Sequence, residues 1–467
     1  MKINVTSNVV RIVAFLFIAP GAMTVVADSI TFAPVSSLSL AATNENLMSL
    51  SISNAGNQAW IIQSSSNLTD WTEVESLKVF NGAYRRSYLN DGNANLFYRA
   101  YYDITRQTIA DTTANALLLP DVPFNYAAPV LPASFSVNPV LAEDNMPSNN
   151  VTTDAGATLG RVLFYDKRLS TNQTISCASC HQQAHAFSDP RRFSTGYDGS
   201  TGTRNAMGLS NARWYQRKHF FWDERAVTLE DQTLQPVQNP IEMGMTLDAL
   251  TSRLATEPFY TNLFAQAFGS PEVTTNRIAF ALAQFVRSIV STRSKYDIGV
   301  ANNFTNFTAQ ENLGRQLFFG QTGNPPPPCA ICHGTDNFVP TVTLNNNGLE
   351  FPYVDLGVGG VTAVAAQNGL FKVPSLRNIA LTAPYMHDGR FTNLEQVVEF
   401  YNSGIVNNPN LSPPLRVPTP PGQPPGPPLR LNLTPDQKAA LVAFLNTLTD
   451  TNLVSDPKLS DPFNYGD

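Results

Sequence analysis

The chain has four cysteines, and they fall in two copies of one pattern: Cys177-Ala-Ser-Cys180-His181 and Cys329-Ala-Ile-Cys332-His333. In C-x-x-C-H each thiol can add to a haem vinyl group and the histidine can ligate the iron. The pattern is the attachment signature of c-type haem. A disulfide framework is disfavoured, because a chain of 467 residues does not need covalent staples. Zinc is disfavoured too, since each Cys-Cys-His set lacks a fourth ligand. Two covalently attached haem c groups are expected, with His181 and His333 as proximal ligands.

The sixth iron position decides what such a protein does. A second strong ligand makes an electron carrier, whereas an open position allows chemistry with peroxide or oxygen. The sequence offers three further histidines: His185, His219 and His387. Each reads first as structural, and His185 follows His181 too closely to reach the opposite haem face. A pure electron-transfer cytochrome would need more spare His or Met than the chain carries.

The elements that must position these motifs repeat. Leu159-Gly160-Arg161-Val162-Leu163-Phe164 precedes the first motif and Leu313-Gly314-Arg315-Gln316-Leu317-Phe318 precedes the second. This implies one unit, a helix running into a haem loop, used twice. The expected fold is mainly α: two cytochrome c-like haem domains, over 151–297 and 298–450. Ile278, Leu282, Phe285 and Ile289 recur at helical spacing and predict a helix with a buried face. Thr434 and Pro435 predict the start of another, carrying Leu441, Phe444 and Leu445. Between the second motif and that helix lies a surface insertion, 412–428, with nine prolines in 17 residues. It should be extended.

Before the haem region, residues 28–110 read as a small all-β, sandwich-like module. Short runs such as Leu47–Ser53, Trp60–Ser64, Trp71–Val74, Tyr84–Tyr88 and Phe97–Tyr102 alternate with Asn, Gly and Ser clusters. Residues 111–150 read as a linker and 451–467 as a tail. Lys2, Arg11, the apolar run Ile12–Val26 and the small residues ending at Ala27 read as a signal peptide over 1–27. A periplasmic or otherwise secreted location follows, without an integral membrane span after cleavage. The net charge of −6 without basic clusters argues against nucleic acid.

Three dense polar and aromatic segments carry a resemblance. They contain Phe221-Trp222-Asp223-Glu224-Arg225-Ala226, Gln232, Glu242-Met243, Lys372-Val373-Pro374-Ser375-Leu376-Arg377-Asn378 and Pro384-Tyr385-Met386-His387-Asp388-Gly389-Arg390. Over roughly 150–450 the chain resembles the bacterial di-haem cytochrome c peroxidase and MauG superfamily. The resemblance implies a peroxidatic haem at His181, with Glu242 as distal acid and Gln232 as distal amide. It implies Trp222 as the relay between haems and a calcium ion held by Asn205, Thr382 and Pro384. A loop that carries a distal His in reductively activated members has Tyr197 here, which implies a first haem that needs no loop release.

At the second haem, the peroxidase branch has a ligating Met fourteen residues after the His of His-Asp-Gly, and MauG has Tyr. Counting from His387 gives Tyr401, and no Met follows Met386. Tyr401 is the expected ligand, with Met386 or His387 as the alternative. MauG's tryptophan before its second motif is replaced by Asn324-Pro325-Pro326-Pro327-Pro328. The implied activity is reduction of hydrogen peroxide with electrons from an exported donor, a small cytochrome c or a copper protein. The alternative partner is an oxidisable protein substrate.

Overall fold

The computed structural model describes residues 116–464 except 121 and 340–343; before them it describes the strands between residues 9 and 103 and the turn at 69–71. The cleavage site expected after Ala27 lies outside the described residues. The chain divides into two compact units. One comprises 1–122, 256–262 and 462–467, and the other 123–255 and 263–461.

In the first unit, backbone pairing is antiparallel. One sheet has the order Val9–Val10, Phe97–Asp103, Gln58–Ser65, Thr72–Val79. A second has the order Thr31–Phe32, Ser36–Asn44, Leu47–Ala55, Gly82–Leu89, and Leu16–Ala19 pairs with Ala22–Val25. The packing of these sheets on each other lies outside the described residues.

The second unit is mainly helical and carries both motifs. Its first half contains α1 (Asp154–Tyr165), α2 (Cys177–Cys180), α3 (Leu229–Gln238) and α4 (Thr275–Arg287). Its second half contains α5 (Ala309–Phe318), α6 (Cys329–Cys332), α7 (Leu394–Glu399) and α8 (Pro435–Asn446). No described helix is long and apolar enough to cross a membrane.

Local chemistry explains where these helices start. Thr153 caps α1 by accepting from Gly156 N, and Thr274 caps α4 by accepting from Arg277 N. Reciprocal capping boxes open α5 (Thr308 with Glu311) and α8 (Thr434 with Gln437). Pro435 sits in the first turn of α8, where its missing N–H costs nothing. The expected face of α4 is buried, with Ile278, Leu282 and Phe285 at 0%, 1% and 0% exposure.

The sequence repeat is a repeat in space. α1 crosses α4 at Gly160, where an added methyl would overlap the Ala281 carbonyl and press on Phe285 Cβ. α5 crosses α8 at Gly314, which meets the Ala440 carbonyl and Phe444 Cβ in the same way. One turn later, Phe164 packs on Phe285 at 5.2 Å between ring centroids, and Phe318 packs on Phe444 at 5.0 Å. Each helix pair therefore approaches closely through one glycine and is filled beside it by paired phenylalanines.

The 412–428 insertion is a hairpin. Val417 N donates to Pro427 O at 2.9 Å and Leu429 N to Leu415 O at 2.8 Å. Arg416 ties its base, donating to the carbonyls of Leu411, Gly426 and Asn408. Residues 417–425 form an exposed tip.

A methyl at Gly314 must push α5 from α8. Gly314→Ala should cost about 1–3 kcal/mol, as overpacked cores do, and Thr434→Ala about 1 kcal/mol through the lost cap. Thermal unfolding of the haem-loaded protein checks both. A Gly314→Ala midpoint equal to that of the native chain would show that the crossing is not tight.

Candidate functional site

Each motif folds as one helical turn, with the histidine N–H closing on the first cysteine. His181 N donates to Cys177 O and His333 N to Cys329 O, both at 2.9 Å. The chain then loops back. His181 Nδ1 donates to Phe187 O at 2.9 Å and His333 Nδ1 to Phe338 O at 3.0 Å. Both phenylalanines adopt left-handed backbone, with φ of 62° and 56°, a conformation that is costly for a bulky residue. Their rings are fully buried, Phe187 against Phe164 and Phe338 against Phe318.

This arrangement suits haem. A carbonyl can only accept, so Nδ1 carries the proton and Nε2 is left as the metal-binding nitrogen. Burial lowers the His181 pKa and brings that of His333 to about 4, so neither imidazole is charged at neutral pH. Burial pushes the thiols of Cys177 and Cys329 up to about 12 and that of Cys332 to about 11. Both cysteine pairs and both histidines line one cavity of about 500 Å³.

All the other residues expected at the site line this cavity too: Trp222, Gln232, Glu242, Tyr401, Asn205, Thr382 and Pro384. Glu242 lies close enough to Cys177 and Cys180 to perturb their ionisation. Burial raises its own carboxyl pKa, against the pull of the Arg225 cation and a hydrogen bond from Asn239 Nδ2 at 2.6 Å. Arg225 is held over the Phe221 ring at 3.6 Å and paired with Asp223. Gln232 projects from α3, whose first turn is capped by Thr228.

Tyr197 is not among the cavity-lining residues. Its ring packs against Gly244, which has φ of 61°, and its backbone N–H donates to Glu242 O at 2.9 Å. The residue at the expected distal-histidine position thus helps to hold the Glu242 backbone. His185 and His219 also lie outside the lining, and His219 faces Glu224 at 3.8 Å.

Trp222 is fixed at both ends. Its Nε1 donates to Asn205 O at 2.9 Å, and its carbonyl accepts from Lys372 N at 2.8 Å. Its ring meets His387 edge-on at 6.4 Å, and His387 stacks on Phe371 at 3.9 Å. Asn205 Nδ2 donates to the carbonyls of Arg191 and Arg192, at 3.2 and 3.3 Å, so its Oδ1 is the end suited to a hard cation. Arg204 bridges Asp223 at 2.6 Å and Asp355 at 2.7 Å, joining the Trp222 segment to the segment around Asp355.

The second motif has a different surround. Tyr401 lies in a π-helical turn, Phe400–Gly404, that continues α7, a deformation common at functional sites. Cys329 and Cys332 perturb its ionisation, which places it at the second motif. Burial pushes the phenol up to about 12, so a phenolate there needs a cation opposite. Asn347 Nδ2 reaches Met386 Sδ at 3.4 Å and Tyr401 Oη at 3.5 Å. Both sulfur and phenol therefore lie beside the Asn347 amide.

Two polar residues of the lining, given no role from sequence, make contacts that matter here. Asn347 lies in no motif. Lys372 was visible only as the first residue of Lys-Val-Pro-Ser-Leu-Arg-Asn. Its ammonium lies over the Tyr215 ring at 3.6 Å and donates to His219 O at 3.3 Å. Burial lowers its pKa to about 7 against the pull of Glu224.

The family model described as di-haem cytochrome c peroxidase matches residues 154–304. The methylamine utilization protein MauG of Methylorubrum extorquens is 33% identical over 305 residues, 65% of this chain and 80% of that one. The cytochrome c551 peroxidase of Nitrosomonas europaea is 34% identical over 297 residues, 63% of this chain and 79% of that one. A solved MauG-like protein associated with microbial copper homeostasis is 34% identical, with a TM-score of 0.60 over 70% of this chain and 99% of its own. With two haem loops on one cavity and these relatives, the chain belongs to the di-haem cytochrome c peroxidase and MauG family and is a peroxide-reducing oxidoreductase with two c-type haems.

Proposed function

We propose that the two haem sites divide the work, peroxide reacting at His181 and electrons being held at His333. The observation that carries this is the unequal lining of the shared cavity. A buried acid stands near the first motif, whereas a phenol, with a thioether beside the same Asn347 amide, stands near the second.

His181 would hold the haem iron, which would supply the electrons that reduce peroxide. Glu242 takes a proton from one peroxide oxygen and returns it to the departing oxygen. Its pKa, raised by burial, suits a carboxyl that must both accept and give up a proton. The Gln232 carboxamide orients peroxide, and Arg225 limits how far burial raises the Glu242 pKa. Two electrons and two protons convert each peroxide to two waters. Trp222, pinned by Asn205 and Lys372, is the aromatic step between the sites.

Tyr401 is the proposed second ligand at His333, with calcium at Asn205, Thr382 and Pro384 bracing Trp222 through Asn205. A phenolate ligand favours ferric and higher iron and lowers the potential, whereas methionine raises it. A small exported cytochrome c or copper protein is the proposed donor. Oxidation of a protein substrate is the second reading. Tyr401 favours it, and the Asn324–Pro328 stretch lacks the aromatic that would carry charge outward. The segment 1–27 is proposed to be a signal peptide directing the protein to the periplasm or cell surface. Residues 28–110 are proposed to be a small β-sandwich-like module for packing, adhesion or partner docking.

Stoichiometric peroxide added to the diferric protein should give an oxidised pair without prior reduction, read by optical and Mössbauer spectroscopy. No reaction until one haem is reduced would sink the open first site. Tyr401→Met should raise the second haem's potential; an unchanged potential would remove Tyr401 from the coordination shell.

Glu242→Gln should slow peroxide cleavage by roughly 10²-fold while the intact mass still shows two haems. The native rate should rise with pH as the Glu242 carboxyl, its pKa lifted by burial, loses its proton. That rise should be missing in Glu242→Gln. A variant that keeps the same acid limb would assign the limb to another group.

A further inference from the structure

Glu143 is fully buried, at 0% exposure, and neither carboxylate oxygen makes a well-formed hydrogen bond, the Thr335 hydroxyl acting on it only weakly. A buried ionised carboxylate without a partner is expensive, so such a group is kept for a reason or kept protonated. It ends the short helix Val140–Glu143, and the peroxide chemistry proposed above does not use it.

Its surroundings point to the second haem loop. The polar groups that act on it are Thr335 and Asp336, the second and third residues after His333. Thr335 also holds the loop's shape. Its carbonyl accepts from Phe338 N at 2.8 Å, and its hydroxyl donates to Val339 O at 3.3 Å. Phe338 O is the acceptor that orients His333. Glu143 is thus linked to His333 through one loop.

The charged groups described around it are few. Asp336 faces it from the loop. Asp144, next in sequence, is neutralised by Arg213 at 2.5 Å. Beyond these, Arg287 is paired with Glu230 at 2.6 Å, and Arg377 with Asp297 at 2.9 Å. Each described cation nearby is therefore already matched by another carboxylate, and Asp336 adds a like charge.

We infer that Glu143 is the redox-linked proton acceptor of the second haem: it takes up a proton when that haem is reduced and releases it on oxidation. The inference rests on His333 holding a haem. The balance is one electron into the iron, supplied by the peroxidase's donor, and one proton from solvent onto a Glu143 oxygen. Reduction removes a positive charge from the iron, so the nearby carboxylate binds its proton more tightly. The proton in turn stabilises the reduced iron. Desolvation already moves the carboxyl pKa up to about 8, against the Thr335 hydroxyl and with the Asp336 charge, which puts the exchange near working pH.

The test is spectroelectrochemical titration of the holoprotein between about pH 6 and 9, the range that brackets the raised carboxyl, after intact mass has established two haems. The second haem's potential should fall as pH rises, and Glu143→Gln should abolish that fall while leaving the first haem's pH dependence unchanged. An equal slope in Glu143→Gln, or no slope in the native protein, would overturn the inference. Redox-difference infrared spectra of the native protein give a readout that needs no variant. A protonated-carboxyl band should appear on reduction, and its absence would also overturn the inference. A protein carrying a single haem would remove the underlying reading instead, and the intact mass separates the two failures.

Discussion

The hydrogen bond from each haem-loop histidine to a phenylalanine carbonyl is the constraint on which the rest of the helical unit depends. It fixes the imidazole tautomer and turns Nε2 toward the cavity. The carbonyl can point there only because Phe187 and Phe338 take up left-handed backbone. That strain is offset by burying each ring against a helix that the glycine crossings hold in place. The path from glycine notch to metal-binding nitrogen is the same in both halves.

A shared scaffold leaves the difference between the sites to residues outside it. Glu242 and Gln232 come from α3 and the loop after it, whereas Tyr401 and Met386 come from the region around α7. The buried charges follow the same division. Arg225 and Asn239 moderate the acid near the first motif, and Asn347 stands beside both the phenol and the thioether near the second. Lys372 and Arg204 lie along the Trp222 segment, each held by aromatic or acidic neighbours, so the region between the motifs is polar yet anchored.

Much of this was legible in the chain because it rests on local rules. The C-x-x-C-H motifs, the Leu-Gly-Arg repeat, the Thr434 cap and the buried α4 face depend on spacing within a few residues. The family motifs extended that reach to Trp222, Gln232, Glu242 and Tyr401, all of which line one cavity. What could not be read depends on approach in space. Asn347 belongs to no periodic pattern, and only folding sets it beside Met386 and Tyr401. Glu143 looked like an ordinary linker acid, because nothing local says that it will be buried without a well-formed hydrogen bond. Tyr197 was found by counting, but that its ring packs against the left-handed Gly244 is a contact only the fold makes.

Internal duplication also carries a folding hazard. Two helix pairs with the same glycine notch could exchange partners while the chain collapses, a failure known for repeated units. The chain discriminates between them at a second small residue. Gly156, one turn before Gly160, makes room for the Gln284 side chain, whose Oε1 accepts from Thr153 N at 2.9 Å. The residue one turn before Gly314 is Gln310, and the residue before Phe444 is Ala443. Setting α5 against α4 would drive Gln310 into Gln284 and leave both amides crowded. Setting α1 against α8 would face Gly156 with alanine and leave a void. One glutamine and one glycine thus act as a key for correct assembly, in a molecule whose halves otherwise offer each other the same lock.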